Sequence, residues 1–205
     1  MRIFILINRM DTCEREASRA TRPGIAVTPN PLTMEQARWT ERKFSFDFPV
    51  EWLPNILERL RGTSARLNDI TGSLTEMKAS VKINGKWSIK EHIGHLADLE
   101  SLHDGRLDDF ISRKKTLRPA DMTNAVTFQA DHNSRSLRHL INDFTVKRRH
   151  FIHRLVQMDP ETHAFKSMHP RLRKNMRPAD IAYFIAEHDD HHLASIRRLI
   201  EEMKH

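Results

Sequence analysis

Two histidines four residues apart, His188 and His192, stand where the last helical segment of this chain calls for leucine or isoleucine. At about 100° per residue, Ile181, Phe184, Ile185, Ile196, Leu199 and Met203 fall on one stripe, and the two imidazoles lie at its centre. A polar group on a buried stripe needs a partner, because leaving it unsatisfied costs about 1–3 kcal/mol. The i, i+4 spacing puts both rings on one face a turn apart, close enough to chelate one ion. Hydrogen bonds to carboxylates across a bundle are the competing use of such a pair. His191 falls nearly a quarter-turn off the stripe, which suits a flanking role.

Three more helical segments precede this one. The first runs from about Val50 to Leu74, with Trp52, Ile56, Leu60, Leu67 and Ile70 spaced for one apolar face and Gly62 weakening the middle. A turn at Asn84-Gly85-Lys86 leads to Trp87, and Ser88 with Glu91 three residues later forms a capping-box signal. The helix opened there continues through Ile93, Leu96, Leu99 and Leu107 to about Arg113. Pro119 separates it from a third segment over Asn124 to Met158, whose apolar positions include Leu137, Leu140, Ile141, Phe144, Phe151, Ile152 and Leu155. Asp159-Pro160 ends that segment, and Pro178 suits the first turn of the last helix, which runs to about Lys204. Long helices joined by loops, with no alternating strand pattern, predict an all-α four-helix bundle.

The rest of the composition narrows the class. With 205 residues the chain suffices for one domain, and six glycines with 39% hydrophobic and 30% charged residues suit a soluble helical protein. No stretch reads as a membrane span. The apolar run near Phe4 is short and followed by Arg9, Asp11, Glu14 and Arg15, unlike a cleavable signal, so a cytoplasmic location is expected. Residues 1–33 lack periodicity and end in Pro29-Asn30-Pro31-Leu32-Thr33, so they read as a poorly ordered extension before a domain at 34–205, with Met34 a candidate natural start. The single cysteine, Cys13, lies in that extension, which argues against disulfides and against a cysteine nucleophile. A net charge of +7 raises nucleic acid as a partner, but about +2 sits in the extension and the rest alternates with acids along helices. With no zinc-finger or RNA-binding motif, a solvated surface is the better reading.

A third ligand for the His188–His192 pair has to come from another helix. The second helix offers His92, His95 and His103. His95 borders the face of Leu96, Leu99 and Leu102, and Gly94 beside it holds no neighbouring helix away, so periodicity favours His95 while leaving His92 open. Asp98, Glu100 and Glu187 could orient imidazoles or act as a base, but each reads first as a surface carboxylate. The basic stretch His169-Pro170-Arg171-Leu172-Arg173-Lys174 could meet an anionic group, although a solvated loop is the plainer reading.

Trp87-Ser-Ile-Lys-Glu-His-Ile-Gly-His95-Leu-Ala-Asp-Leu-Glu100, followed by His169-Pro170 and Ala186-Glu-His188-Asp-Asp-His-His192-Leu-Ala-Ser-Ile196, resembles the DinB/YfiT-like superfamily. This is the damage-inducible helical family, not the DNA polymerase of similar name, and the resemblance spans Met34 to the C-terminus. It implies a four-helix bundle, often a homodimer, whose divalent ion (Zn, Ni, Fe or Mn) rests on the positions of His95, His188 and His192. It also implies a metal-dependent transferase or hydrolase for a small-molecule substrate, some relatives using a low-molecular-weight thiol as cosubstrate. A non-catalytic metal-binding stress protein is the alternative, and no catalytic residue is assigned.

Overall fold

The computed structural model describes residues 35–204. The expected N-terminal extension, the Met34 start and Cys13 lie outside the described residues. Seven helices and one small hairpin follow in order among the described residues: α1 (Leu53–Thr71), α2 (Glu76–Ala79), α3 (Ile89–Ile111), α4 (Ala125–Gln129), α5 (Leu137–Val156), α6 (Pro160–Ala164), β1 (Ser167–His169), β2 (Lys174–Met176) and α7 (Pro178–Glu202). No helix among the described residues is long and apolar enough to cross a membrane.

The four long helices make the bundle. Helix α1 packs on α5 and α7, and α3 packs on the same two, so helices consecutive along the chain do not always lie side by side. Two apolar clusters fix the directions. One joins the first half of α1 (Ile56, Leu60) and of α7 (Ile181, Ile185) to the last half of α3 (Leu107, Phe110) and of α5 (Phe151, Leu155). The other joins the opposite halves, among them Leu67, Ile93, Leu140 and Ile196. Helices α1 and α7 therefore run parallel to each other and antiparallel to the pair α3 and α5.

Between the clusters lies a buried polar layer to which every long helix contributes. Arg148 of α5 donates to both oxygens of Glu100 from α3 at 2.7–3.1 Å and to Asp189 of α7, and Asp189 accepts from the Thr63 hydroxyl of α1 at 2.8 Å. Fully paired in this way, the Arg148 guanidinium is held in its charged form, its pKa raised by the two carboxylates against the opposing effect of burial.

The helix starts follow local chemistry. Ser88 and Glu91 form the expected capping box on α3, Ser136 caps α5, and the Asp180 carboxylate accepts the Arg177 N–H ahead of Pro178 at α7. The expected third segment splits, because Asn124 and Asp131 adopt left-handed backbone and leave α4 and a 3-10 turn at His132–Ser134 before α5 begins. Asp159-Pro160 does end α5, and Asp159 then caps the short α6. Trp52 departs from the expected apolar face: it lies in a 3-10 turn, 56% exposed, stacked on Phe48. A small hairpin of β1 and β2 joins the bundle, its register pairing His169 with Lys174 across the loop read as solvated.

Candidate metal centre

Helix α3 is fixed at its start by the capping box, which places His95 under two turns into the bundle, facing α7. His188 and His192 face it from the centre of α7, and each of the three is no more than 7% exposed. Each offers one ring nitrogen, and these nitrogens lie within 4.8 Å of one another. His188 Nε2 and His192 Nε2 are 3.1 Å apart. That falls in the span of about 3–4 Å left between two nitrogens bonded at about 2.1 Å to one ion.

Burial keeps these rings neutral. Desolvation pushes the His95 pKa down to about 4 against the opposing pull of Asp98, and holds His188 and His192 well below the usual histidine value, those two further lowered by neighbouring histidines. Neutral imidazole is the ligating form.

The hydrogen bonds fix which nitrogen is free. The Thr127 hydroxyl donates to Asp98 Oδ2 at 2.9 Å, so it accepts from His95 Nδ1–H at 3.0 Å. The lone pair of His95 is thereby left on Nε2. Asp98 is also bonded by His132 Nε2 at 2.9 Å. The His132 ring sits where a side chain on residue 94 would be, since a Cβ on Gly94 would meet it at 2.2 Å. Gly94 thus makes room for a supporting imidazole rather than for a helix. On the other side, His92 Nδ1 lies 2.8 Å from His192 Nδ1, leaving His192 Nε2 turned toward His188. His188 Nδ1 has no partner among the described residues. Three neutral imidazoles with ring nitrogens converging and two of them braced from behind are a donor set suited to a divalent transition ion.

The three rings line a cavity of about 560 Å³ whose walls include Trp39, Trp87, Leu99, Leu102, Met122 and Phe184. Trp39 packs against His188 and Trp87 against His95. A fourth imidazole in the lining is His103, two turns beyond His95 on the same face of α3. Its Nδ1 lies 3.2 Å from Glu100 Oε1, and Glu100 is itself held by Arg148. The Glu100 carboxyl is depressed to about 2: burial alone would raise it, but Arg148 and His103 outweigh that. A carboxylate that stays ionised accepts the Nδ1–H, which leaves Nε2 as the ring nitrogen turned away from Glu100, the geometry of a carboxylate–imidazole pair.

Among the residues weighed from sequence, His95, His188 and His192 come together and His92 supports from behind. Gln36 Nε2 donates to His191 Nδ1 at 2.9 Å, which suits the flanking role. Glu187 turns away to Arg42 and Arg59 and orients no imidazole. Asp98 is linked to His95 by hydrogen bonds through Thr127, and Glu100 is buried, not superficial. Periodicity did not single out Thr127, His132, Trp39 or the His103–Glu100 pair. The i, i+3 spacing of Glu100 and His103 along α3 is the one signal in the sequence for that pair.

A family model described as the DinB superfamily matches residues 30–196. The solved structure of YfiT from Bacillus subtilis, described as a probable metal-dependent hydrolase with an unusual four-helix bundle topology, superposes with a TM-score of 0.69. It is 17% identical and the match covers 80% of this chain and 94% of that one, a likeness that speaks for the fold. No curated protein matches the chain.

Proposed function

Given that this chain belongs to the DinB superfamily, we propose that it is a metal-dependent hydrolase of a small molecule, with His95, His188 and His192 holding one divalent ion. The observation that carries this reading is the convergence, in one cavity, of three neutral imidazoles and a separately held His103–Glu100 pair. A purely structural ion would need neither the cavity nor the pair. A protein site of three ligands leaves a coordination position open. An ion bound there supplies Lewis acidity, polarising a substrate carbonyl and lowering the pKa of water.

The chain's own residues do the rest. Thr127 and His92 hold two of the rings in orientation from behind. Trp39, Trp87 and Phe184 give the cavity an apolar wall beside the ligand rings. His103, with Glu100 securing its Nδ1–H, takes a proton on Nε2 from the attacking nucleophile and returns it to the leaving group. Where a low-molecular-weight thiol replaces water as nucleophile, the same proton transfer makes the protein a thiol-linked transferase. Such a thiol would be a cosubstrate, since no cysteine stands among the described residues.

Elemental analysis of the purified protein beside a His188→Ala/His192→Ala variant tests the site, with about one equivalent of Zn, Ni, Fe or Mn expected in the first only. His103→Gln should keep the metal and lose about 10²–10⁴-fold in turnover, assayed on ester and amide panels with and without added thiols. A His103→Gln protein that turns over at the native rate sinks the acid–base assignment. Metal uptake without turnover under any of these conditions would leave a non-catalytic metal-binding protein.

A further inference from the structure

The cavity has a second polar region, apart from the three histidines, whose donors are left partly unpartnered among the described residues. Arg106 lies on α3 one turn beyond His103 and is 2% exposed. Its Nε donates to the Arg118 carbonyl at 3.2 Å, but its Nη2 has no partner among the described residues and no carboxylate there pairs with it. The nearby Asp109 is already taken by Lys114 and Arg118. His169, also 2% exposed, comes from β1. It accepts the Leu172 N–H on Nδ1 at 3.2 Å, so its proton is on Nε2, and that atom is unpartnered among the described residues. Arg171, in the hairpin turn, lies over the rings of Trp39 and Phe184, with Nη2 likewise unpartnered.

All three side chains line the cavity that holds the candidate metal ligands. Burial depresses His169, helped by both guanidiniums, and burial depresses Arg106, partly opposed by Asp109 and reinforced by Arg171, so the three lie near one another. Asp121, the carboxylate in that lining among the described residues, is exposed and bonded to Thr123 and the Ala125 N–H. The contrast with Arg148 is direct: one buried guanidinium meets two carboxylates, the other meets none. Buried charges without partners are costly, and unpartnered N–H donors on residues that line one cavity are an arrangement that an oxyanion satisfies.

We propose that Arg106, His169 and Arg171 form an anion subsite that binds a carboxylate or phosphate group of the substrate, whose apolar body lies along Leu99, Leu102, Met122 and Phe184. The ligand class is a small amphiphilic acid, held by its charged end with its reactive group directed toward His95, His188 and His192. Calling the ligand a substrate rests on the proposed function; the anion subsite itself does not.

Binding of 4-phenylbutyrate, its neutral amide, phenyl phosphate and inorganic phosphate to the full-length protein, by calorimetry and by quenching of Trp39 and Trp87, tests this directly. At least one aryl anion should bind about 10-fold or more tighter than the amide, and the ratio of phenylbutyrate to phenyl phosphate identifies the preferred head group. Arg106→Met and Arg171→Gln should each abolish that preference and leave amide binding unchanged. His169→Asn keeps an acceptor for the Leu172 amide while removing the Nε2–H, and should weaken the anion alone. Arg171 is only half-buried, so its variant decides the matter even if Arg106→Met fails to fold. Equal binding of acids and amide, no binding of either, or an acid preference unaltered by these substitutions overturns the subsite. Metal content measured on the same samples separates the two readings: acid preference in a protein that takes up no metal leaves the subsite standing and removes the metalloenzyme, and the reverse result does the opposite.

Discussion

A single hydroxyl decides which face of His95 is available. Because the Thr127 O–H is spent on Asp98, the ring must donate Nδ1–H to it, and the tautomer with a lone pair on Nε2 is selected. Thr127→Val keeps the shape and removes the acceptor. On the proposed ligand assignment it should weaken metal affinity about 10–100-fold, read by competition with a chromophoric chelator, with little change in fold. Gly94→Ala reaches the same end by another route, its Cβ displacing the His132 ring and with it a bond to Asp98. Unchanged affinity in both variants would show that the Asp98 chain does not orient the ligand. At this scale, apart from the motif resemblance that pointed to His95, the sequence was legible where periodicity speaks. It put His188 and His192 on a seam and left His95 against His92 open, because spacing along α3 does not report which ring a threonine from a different segment will reach.

The helices themselves were readable because each buries a stripe at the 3.6-residue period and most carry a cap. All seven apolar positions expected for the third segment are buried in α5. Its start was misplaced because the left-handed Asn124 and Asp131 interrupt a stretch that composition alone allows to be helical. The hairpin escaped notice because two strands of three residues are too short to show alternation. What periodicity hides altogether is the polar layer, whose members look like surface charges along each helix taken singly. Arg148→Met leaves Glu100 and Asp189 buried without their cation and should lower stability by about 3–5 kcal/mol in urea unfolding at pH 7. Part of that loss should return as the medium is acidified, since a protonated carboxyl no longer needs the cation. A loss under 1 kcal/mol would mean that water replaces the guanidinium freely.

Across the whole molecule, the buried imidazoles and the buried carboxylate give acid sensitivity of one sign. Burial lowers His92 to about 3, His95 to about 4 and His169 to about 3 in the folded chain, while the unfolded chain takes up protons on them from about pH 6.5 downward. Their contribution is complete above pH 6.5 and is lost as pH falls toward those values. Glu100, depressed from 4.5 to about 2, adds a second loss between those two values. The thermal midpoint of the protein with chelator present should therefore decline from pH 7 to 4.5 and more steeply below. A flat profile would mean that the rings are solvated in the folded state. The topology has a further consequence for the order in which such a chain can be built. A ribosome delivers α1 early and α7 last, yet α1 rests on α7, and His95 waits on α3 for two rings that are still to be made. On the proposed ligand assignment the site is incomplete until residue 192 clears the exit tunnel, so metal loading would follow synthesis of α7, and a nascent chain stalled before α7 should be protease-sensitive on the face of α1 that packs against α7.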